Sequence, residues 1–167
     1  MSFEFPFVYA DVEVYGRLFY PIVQIELKTI VGWRLFEFLV DTGADLTTVP
    51  LHILPALGIN KKSLKQTKTL GVGGVSVNTW EFILPVKIGN MEFSAHASAV
   101  SSSDNSLPLL LGRKDILEER CNLLVDSKRK MTVITFNHHK TLSVISFIFS
   151  KLLNLKRFVN NISASLI

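Results

Sequence analysis

The chain has 167 residues, 48% apolar and 19% charged. That composition supports one ordinary globular domain with a real core and excludes a disordered chain or a pair of full domains. The net charge of +4 hides a split: through Asp126 there are 11 basic and 14 acidic residues, and from Ser127 onward seven basic residues and no acid. A mildly acidic body precedes a strongly basic tail.

The single Cys121 excludes an internal disulfide and allows a reducing compartment. Glu4, Asp11 and Glu13 at an N-terminus without a basic opening argue against a signal peptide. No window approaches the roughly 20 uncharged apolar residues of a spanning helix. The expectation from these features is a soluble, cytoplasmic protein.

Residues 3–31 are dense in β-formers. Glu13, Gln24, Glu26 and Lys28 fall between apolar positions, the period-2 mark of half-buried strands. Residues 1–20 read as an extension of about two strands. Residues 22–28 and 33–40 form a hairpin turning near Val31-Gly32. Residues 51–57 suit one short helical turn stopped by Gly58. Lys61, Lys62, Lys65 and Lys68 then read as decorating an exposed connection. Residues 69–77 carry Gly71, Gly73 and Gly74 at a strand junction and predict a β-hairpin with a supple tip. A phosphate-binding loop is excluded there, because neither a helix pattern nor a Lys-Ser/Thr pair follows. Strands over 80–88 and 91–100 flank the Gly89-Asn90 turn. A buried strand over 107–113 ends in Gly112-Arg113, with a helix predicted over 115–120. A last hairpin, 122–125 with 131–136, closes the domain. There is no alternating strand–helix pattern, which excludes a dinucleotide fold.

The chemistry concentrates in Asp41-Thr42-Gly43-Ala44. An apolar strand, 36–40, delivers a carboxylate into a tight turn. Such an acid is costly unless paired or hydrogen-bonded. Thr42 can hydrogen-bond local backbone, and Gly43 allows close approach where a Cβ would block it. On its own the tetrapeptide equally fits an ordinary turn between strands. Three features recur in order, however: VDTGAD (40–45), GVGG (71–74) and LLLGRKDI (109–116).

This ordered set resembles the retropepsin-like aspartic proteases, the family of retroviral proteases and their cellular and bacterial relatives, over residues 21–136. The resemblance implies a mostly β fold: a closed, barrel-like domain with a flap hairpin and one short helix, acting as half of a two-fold dimer. It implies that Asp41 is the catalytic aspartate, that Thr42 hydrogen-bonds across the dimer axis, and that the Gly43 backbone meets substrate. Gly71, Val72, Gly73 and Gly74 look like the flap. Asp45 and Arg113 occupy positions that pair and brace the turn. Ala44, Asp45, Leu46, Val49, Val72 and Leu110 look like substrate-contacting positions.

Hydrolysis by carboxylates alone needs one acting as base and one as acid. Only one Asp-Thr-Gly is present; Val125-Asp126-Ser127 is followed by Lys128 where glycine is needed. A homodimer is the simplest completion. The implied activity is aspartic endopeptidase action on peptide or protein substrates, with no cofactor. The other reading is a catalytically idle dimerisation or peptide-binding module, which the intact Asp-Thr-Gly disfavours. His138-His139, lacking a third ligand, is read as no metal site, and the tail lacks the interleaved aromatics of a nucleic-acid surface. The tail, 137–167, spaces apolar residues at 142, 145, 149, 152, 153 and 159 at near-helical intervals. It reads as a docking helix, with weak contact to an anionic membrane surface as the alternative.

Overall fold

The computed structural model describes residues 1–71, 74–101 and 107–137. Its contacts divide the chain into a unit spanning Ser2–Phe136 and another comprising Met1 with Asn137–Ile167. The expectations for the 137–167 tail, its docking or membrane-surface role, fall outside the described residues, apart from Asn137.

Twelve strands carry the described fold. The first three are β1 (Ser2–Pro6), β2 (Val8–Val12) and β3 (Gly16–Tyr20). The barrel strands are β4 (Ile22–Thr29), β5 (Gly32–Val40), β6 (Thr47–Pro50), β8 (Ser76–Ile88), β9 (Met91–Val100) and β10 (Leu109–Leu111). Strand β7 (Lys65–Leu70) pairs only with the first part of β8. The last hairpin is β11 (Cys121–Asp126) and β12 (Met131–Phe136).

The main sheet runs β4-β5-β10-β6-β9-β8-β7, and β4 also pairs with β8 through Glu26↔Lys87 and Leu27↔Val86. That extra pairing closes six strands into a barrel and leaves β7 with the tip of β8 projecting as a hairpin. Closure removes the exposed edges that an open sheet would present. Two pairings are parallel, β5 with β10 and β6 with β9.

Period-2 alternation decides which residues fill the barrel. In β4, Val23, Ile25 and Leu27 are fully buried while Gln24 and Lys28 are exposed. Phe38, Leu84, Val86, Ile88 and Ala95, Ala97 and Ala99 complete most of the core. The three alanines of β9 leave room for the large side chains opposite. Ile116 and Cys121 seal one end. Burial pushes the Cys121 thiol up to about 11, with Arg120 pulling weakly the other way.

Local signals explain most boundaries. Gly58 stops the turn after Leu51–Ile53 with φ +73, and Gly89 turns β8 into β9 with φ +59.

Three expectations change. Residues 1–20 form three strands rather than two: β2 and β3 make a separate hairpin, and β1 pairs with β12 across the length of the chain. Lys65 and Lys68 lie in β7, a strand hidden by its polar sequence, because only Thr67 is even half-buried there. The helix expected over 115–120 begins in a kink. Lys114 is extended and Asp115 is left-handed (φ 62), and only then does a short turn close through Arg120 N–H to Ile116 O at 2.9 Å.

Candidate active site

Strand β5 ends at Val40, and Asp41 follows where β5 and β10 lie side by side. The Asp41 N–H donates to Leu111 O at 3.1 Å, tying the turn to β10. The turn then closes on itself. The Gly43 N–H donates to Asp41 Oδ1 at 2.9 Å, and the Ala44 N–H to Asp41 O at 3.2 Å. The carboxylate is half-buried and keeps its other oxygen without a partner among the described residues. The backbone bond to Gly43 thus fixes its orientation. The hydroxyl of Thr42, expected to bond nearby backbone, has no such bond; Thr42 is exposed and contributes its carbonyl instead.

The segment after β10 grips this turn from behind. The Arg113 N–H donates to Ala44 O at 3.0 Å and the Lys114 N–H to Asp45 O at 2.9 Å. The guanidinium of Arg113 bonds the Asp45 carboxylate through Nη2 and reaches Thr42 O through Nη1 at 3.3 Å. Its Nε lies 3.6 Å from Glu118. Asp45 is 84% exposed, so this pair adds little to folding free energy, under about 1 kcal/mol; its effect is to fix geometry.

Gly112 makes the grip possible. Its backbone is extended (φ −83, ψ 178), open to any residue, but a Cβ there would fall on the Leu46 carbonyl carbon and oxygen. The two chain segments approach too closely for a side chain. Gly43 is tight in a milder way, since a Cβ would meet Asp41 Oδ1 at 3.2 Å.

A second network lies behind. Asp115 Oδ2 accepts from the His96 N–H at 2.8 Å and meets His96 Nδ1 at 2.6 Å. Burial pushes the Asp115 carboxyl up. The His96 backbone and ring and the charge of Lys114 together outweigh that and hold it below its ordinary value. The left-handed backbone at Asp115 aims its carboxylate at β9, which anchors the kink next to Arg113.

The Asp41 turn opens onto a cleft of about 620 Å³ between the barrel and the β7–β8 hairpin. Of the residues singled out in the sequence, Asp41, Gly43, Ala44, Asp45, Leu46, Val49, Gly71 and Leu110 line it. Thr42 does not, and neither does Gly74, which is exposed with φ +77 and closes a turn to Gly71 O. Val72 and Gly73 fall outside the described residues. Asp126 makes the β11–β12 turn by accepting from the Lys128 and Arg129 N–H groups, and it is no part of the cleft.

Several lining residues escaped the sequence reading: Thr48, Ser98, Thr79 and Glu81. The usable signal was alternation. Trp80 and Phe82 pack on the core, so Thr79 and Glu81 must face the other way. Among the described residues no group of histidine, cysteine and acidic side chains could hold a metal ion, and no helix is long and apolar enough to cross a membrane.

Comparisons with known proteins agree with this geometry. The sequence profile described as Retroviral aspartyl protease matches residues 21–125. No curated protein shows a significant match. Among solved structures, the fold is similar to a retropepsin-like aspartic protease from Rickettsia conorii. The two are 20% identical, with TM-score 0.52, covering 81% of this chain and 94% of that one. EIAV protease complexed with the inhibitor HBY-793 also matches, at 20% identity and TM-score 0.47, covering 65% of this chain and 92% of that one. Most of the chain, including both the Asp41 turn and the Gly112-Arg113 segment that clasps it, lies inside the matched profile, and the chain belongs to the retroviral aspartyl protease family.

Proposed function

We propose that this chain is an aspartic endopeptidase that works as a homodimer, with Asp41 from each copy forming one catalytic pair. The observation carrying this reading is the single oriented carboxylate at an open cleft. Of the other acids lining the cleft, Asp45 is held by Arg113 and Glu81 stands on β8. A second copy related by a two-fold axis supplies the missing partner.

The chemistry then follows from proximity. Two carboxyl groups about 3 Å apart cannot both ionise, so they share one proton. The ionised one takes a proton from water as its oxygen attacks the peptide carbonyl carbon. The protonated one gives its proton to the carbonyl oxygen. Collapse of the tetrahedral diol breaks the C–N bond, with a proton passing to the leaving nitrogen.

The other roles are extensions of the same reading. Thr42, exposed and without a side-chain bond among the described residues, reaches across the axis. The Gly43 backbone contacts substrate, and the β7–β8 hairpin closes over an extended peptide.

The edge of β11 supports a contact between copies. The small sheet runs β1-β12-β11, so β11 has an open edge among the described residues. On it Leu124 and Val125 are 57% and 41% exposed. An open edge with apolar side chains favours pairing with another strand, and β11 follows directly on the segment that clasps the Asp41 turn.

Digestion of a peptide library by the full chain tests the reading. Cleavage should be blocked by pepstatin, should disappear in Asp41→Asn with the dimer intact, and should lose specific activity on dilution. Cleavage that survives Asp41→Asn, or a proven monomer of constant specific activity, would overturn it.

A further inference from the structure

Resting on that reading, we infer that Glu81 builds an acidic subsite in the cleft and selects peptides carrying a lysine or arginine side chain near the cut. The sequence's apolar wall positions point to hydrophobic substrates, but the cleft wall is not uniformly apolar. Register places Leu110, Thr48, Ser98 and Glu81 in one row across β10, β6, β9 and β8. The row begins beside the Asp41 turn and reaches a carboxylate on β8, with exposed Lys65 of β7 next in register.

Four hydroxyls of this wall already pair with one another. Thr48 Oγ1 pairs with Ser98 Oγ at 3.2 Å, and Thr67 Oγ1 with Thr79 Oγ1 at 2.8 Å. The Glu81 carboxylate is different: the residue is half-buried, and among the described residues its side chain has neither a hydrogen bond nor an ion pair. Lys65 stands opposite it in the β7–β8 register but is exposed and beyond ion-pair distance. Lys68 also lines the cleft, but in the register it stands opposite Asn78 rather than Glu81, and it makes no ion pair with Glu81. Asp45, the other acid near the catalytic turn, is taken by Arg113. One carboxylate in the cleft is thus left for an incoming cation.

Reach selects the kind of cation. Glu81 lies two strand spacings beyond Thr48, about 10 Å along the wall. A short side chain leaves that distance to water, whereas the long stems of lysine and arginine lie along the apolar and hydroxyl surface and put their charge at the end. A partly desolvated charge pair formed there is stronger than one on an open surface. Two-fold symmetry repeats the subsite, so the preference should appear at equivalent positions on both sides of the scissile bond.

The test uses the full chain and peptide pairs that differ only by lysine or norleucine at successive positions around a cleavage site. For the wild type, the lysine peptide should win in kcat/KM by roughly tenfold or more at one pair of positions, with the advantage shrinking as salt rises. In Glu81→Gln the ratio should fall to near unity, and in Glu81→Lys a glutamate-bearing peptide should take the lead. Cleavage without any preference, or a preference that persists in Glu81→Gln, overturns the subsite while leaving the endopeptidase reading intact. Binding of the same peptides to Asp41→Asn separates the two ideas. Lysine-dependent binding to Asp41→Asn that is lost in Asp41→Asn/Glu81→Gln, together with a wild-type protein that cleaves neither peptide, would keep the subsite and remove the peptidase. Equal binding of both peptides would remove the subsite.

Discussion

Replacing Gly112 by alanine isolates the contact that holds the site together. Glycine is not needed there for its backbone freedom, because φ −83 and ψ 178 suit alanine equally well. The obstacle is the Leu46 carbonyl and the Thr47 nitrogen, both inside the space a methyl group needs. Both are backbone atoms, Thr47 within β6 and Leu46 just before it, so neither can swing aside as a side chain would. The strand after the Asp41 turn must shift instead, or β10 must. Forcing an extra carbon into packed structure costs about 1–3 kcal/mol. For a chain of this size each kcal/mol lowers Tm by about 2–4 °C, so the expected loss is roughly 2–12 °C. Thermal unfolding at fixed protein concentration measures it, and fixed concentration matters because the Tm of the proposed dimer would depend on it. The proposed activity should fall alongside, since the displaced residues follow directly on the Asp41 turn. A Gly112→Ala protein melting within about 1 °C of the parent would show that the close approach of β6 and β10 is wrong.

Arg113→Lys should separate positioning from stability: a lysine keeps the charge but not the fork that spans Asp45 and Thr42. Its unfolding free energy should change by less than about 1 kcal/mol, while kcat falls by up to about 100-fold from a misplaced turn; equal activity would refute the brace. Leu124→Lys puts a charge on the open β11 edge and should shift the protein toward monomer by sedimentation while the isolated fold persists; an unchanged dimer places the interface elsewhere. Asp115 has a folded carboxyl held below its unfolded value of 3.8, so its contribution is fully present above that pH and is lost as pH falls through the lower folded value. Denaturant titrations should therefore show a smaller acid-side loss of stability in Asp115→Asn than in the wild type, and parallel curves would contradict the His96 contact.

What the sequence could reveal followed from how local each signal is. The β4–β5 and β8–β9 hairpins were readable because alternation and a turn residue sit within a few positions of each other, as at Gly89. The clasp between Asp45 and Arg113 was reachable only through the family resemblance, since nothing local couples positions so far apart. Which strands pair in parallel was not readable either. The partners of β10 and of β9 lie far away in sequence, and a run such as Leu109–Leu111 looks the same beside any neighbour. Strand β7 was missed because five of its six residues are polar or charged, on both faces. The kink at Asp115 was missed because few non-glycine residues adopt left-handed backbone, and nothing local marks this aspartate as one of them. Glu81 was visible in the pattern of β8, between Trp80 and Phe82, but its meaning depends on a cleft that only the closed barrel creates.

The most direct measurement mixes wild-type protein with increasing Asp41→Asn protein at constant total concentration, allows subunits to exchange, and follows cleavage. If each site needs a carboxyl group from two copies, activity falls with the square of the wild-type fraction. A fall in simple proportion to that fraction would mean that each chain hydrolyses peptides alone, and the shared-proton pair across a two-fold axis would be wrong.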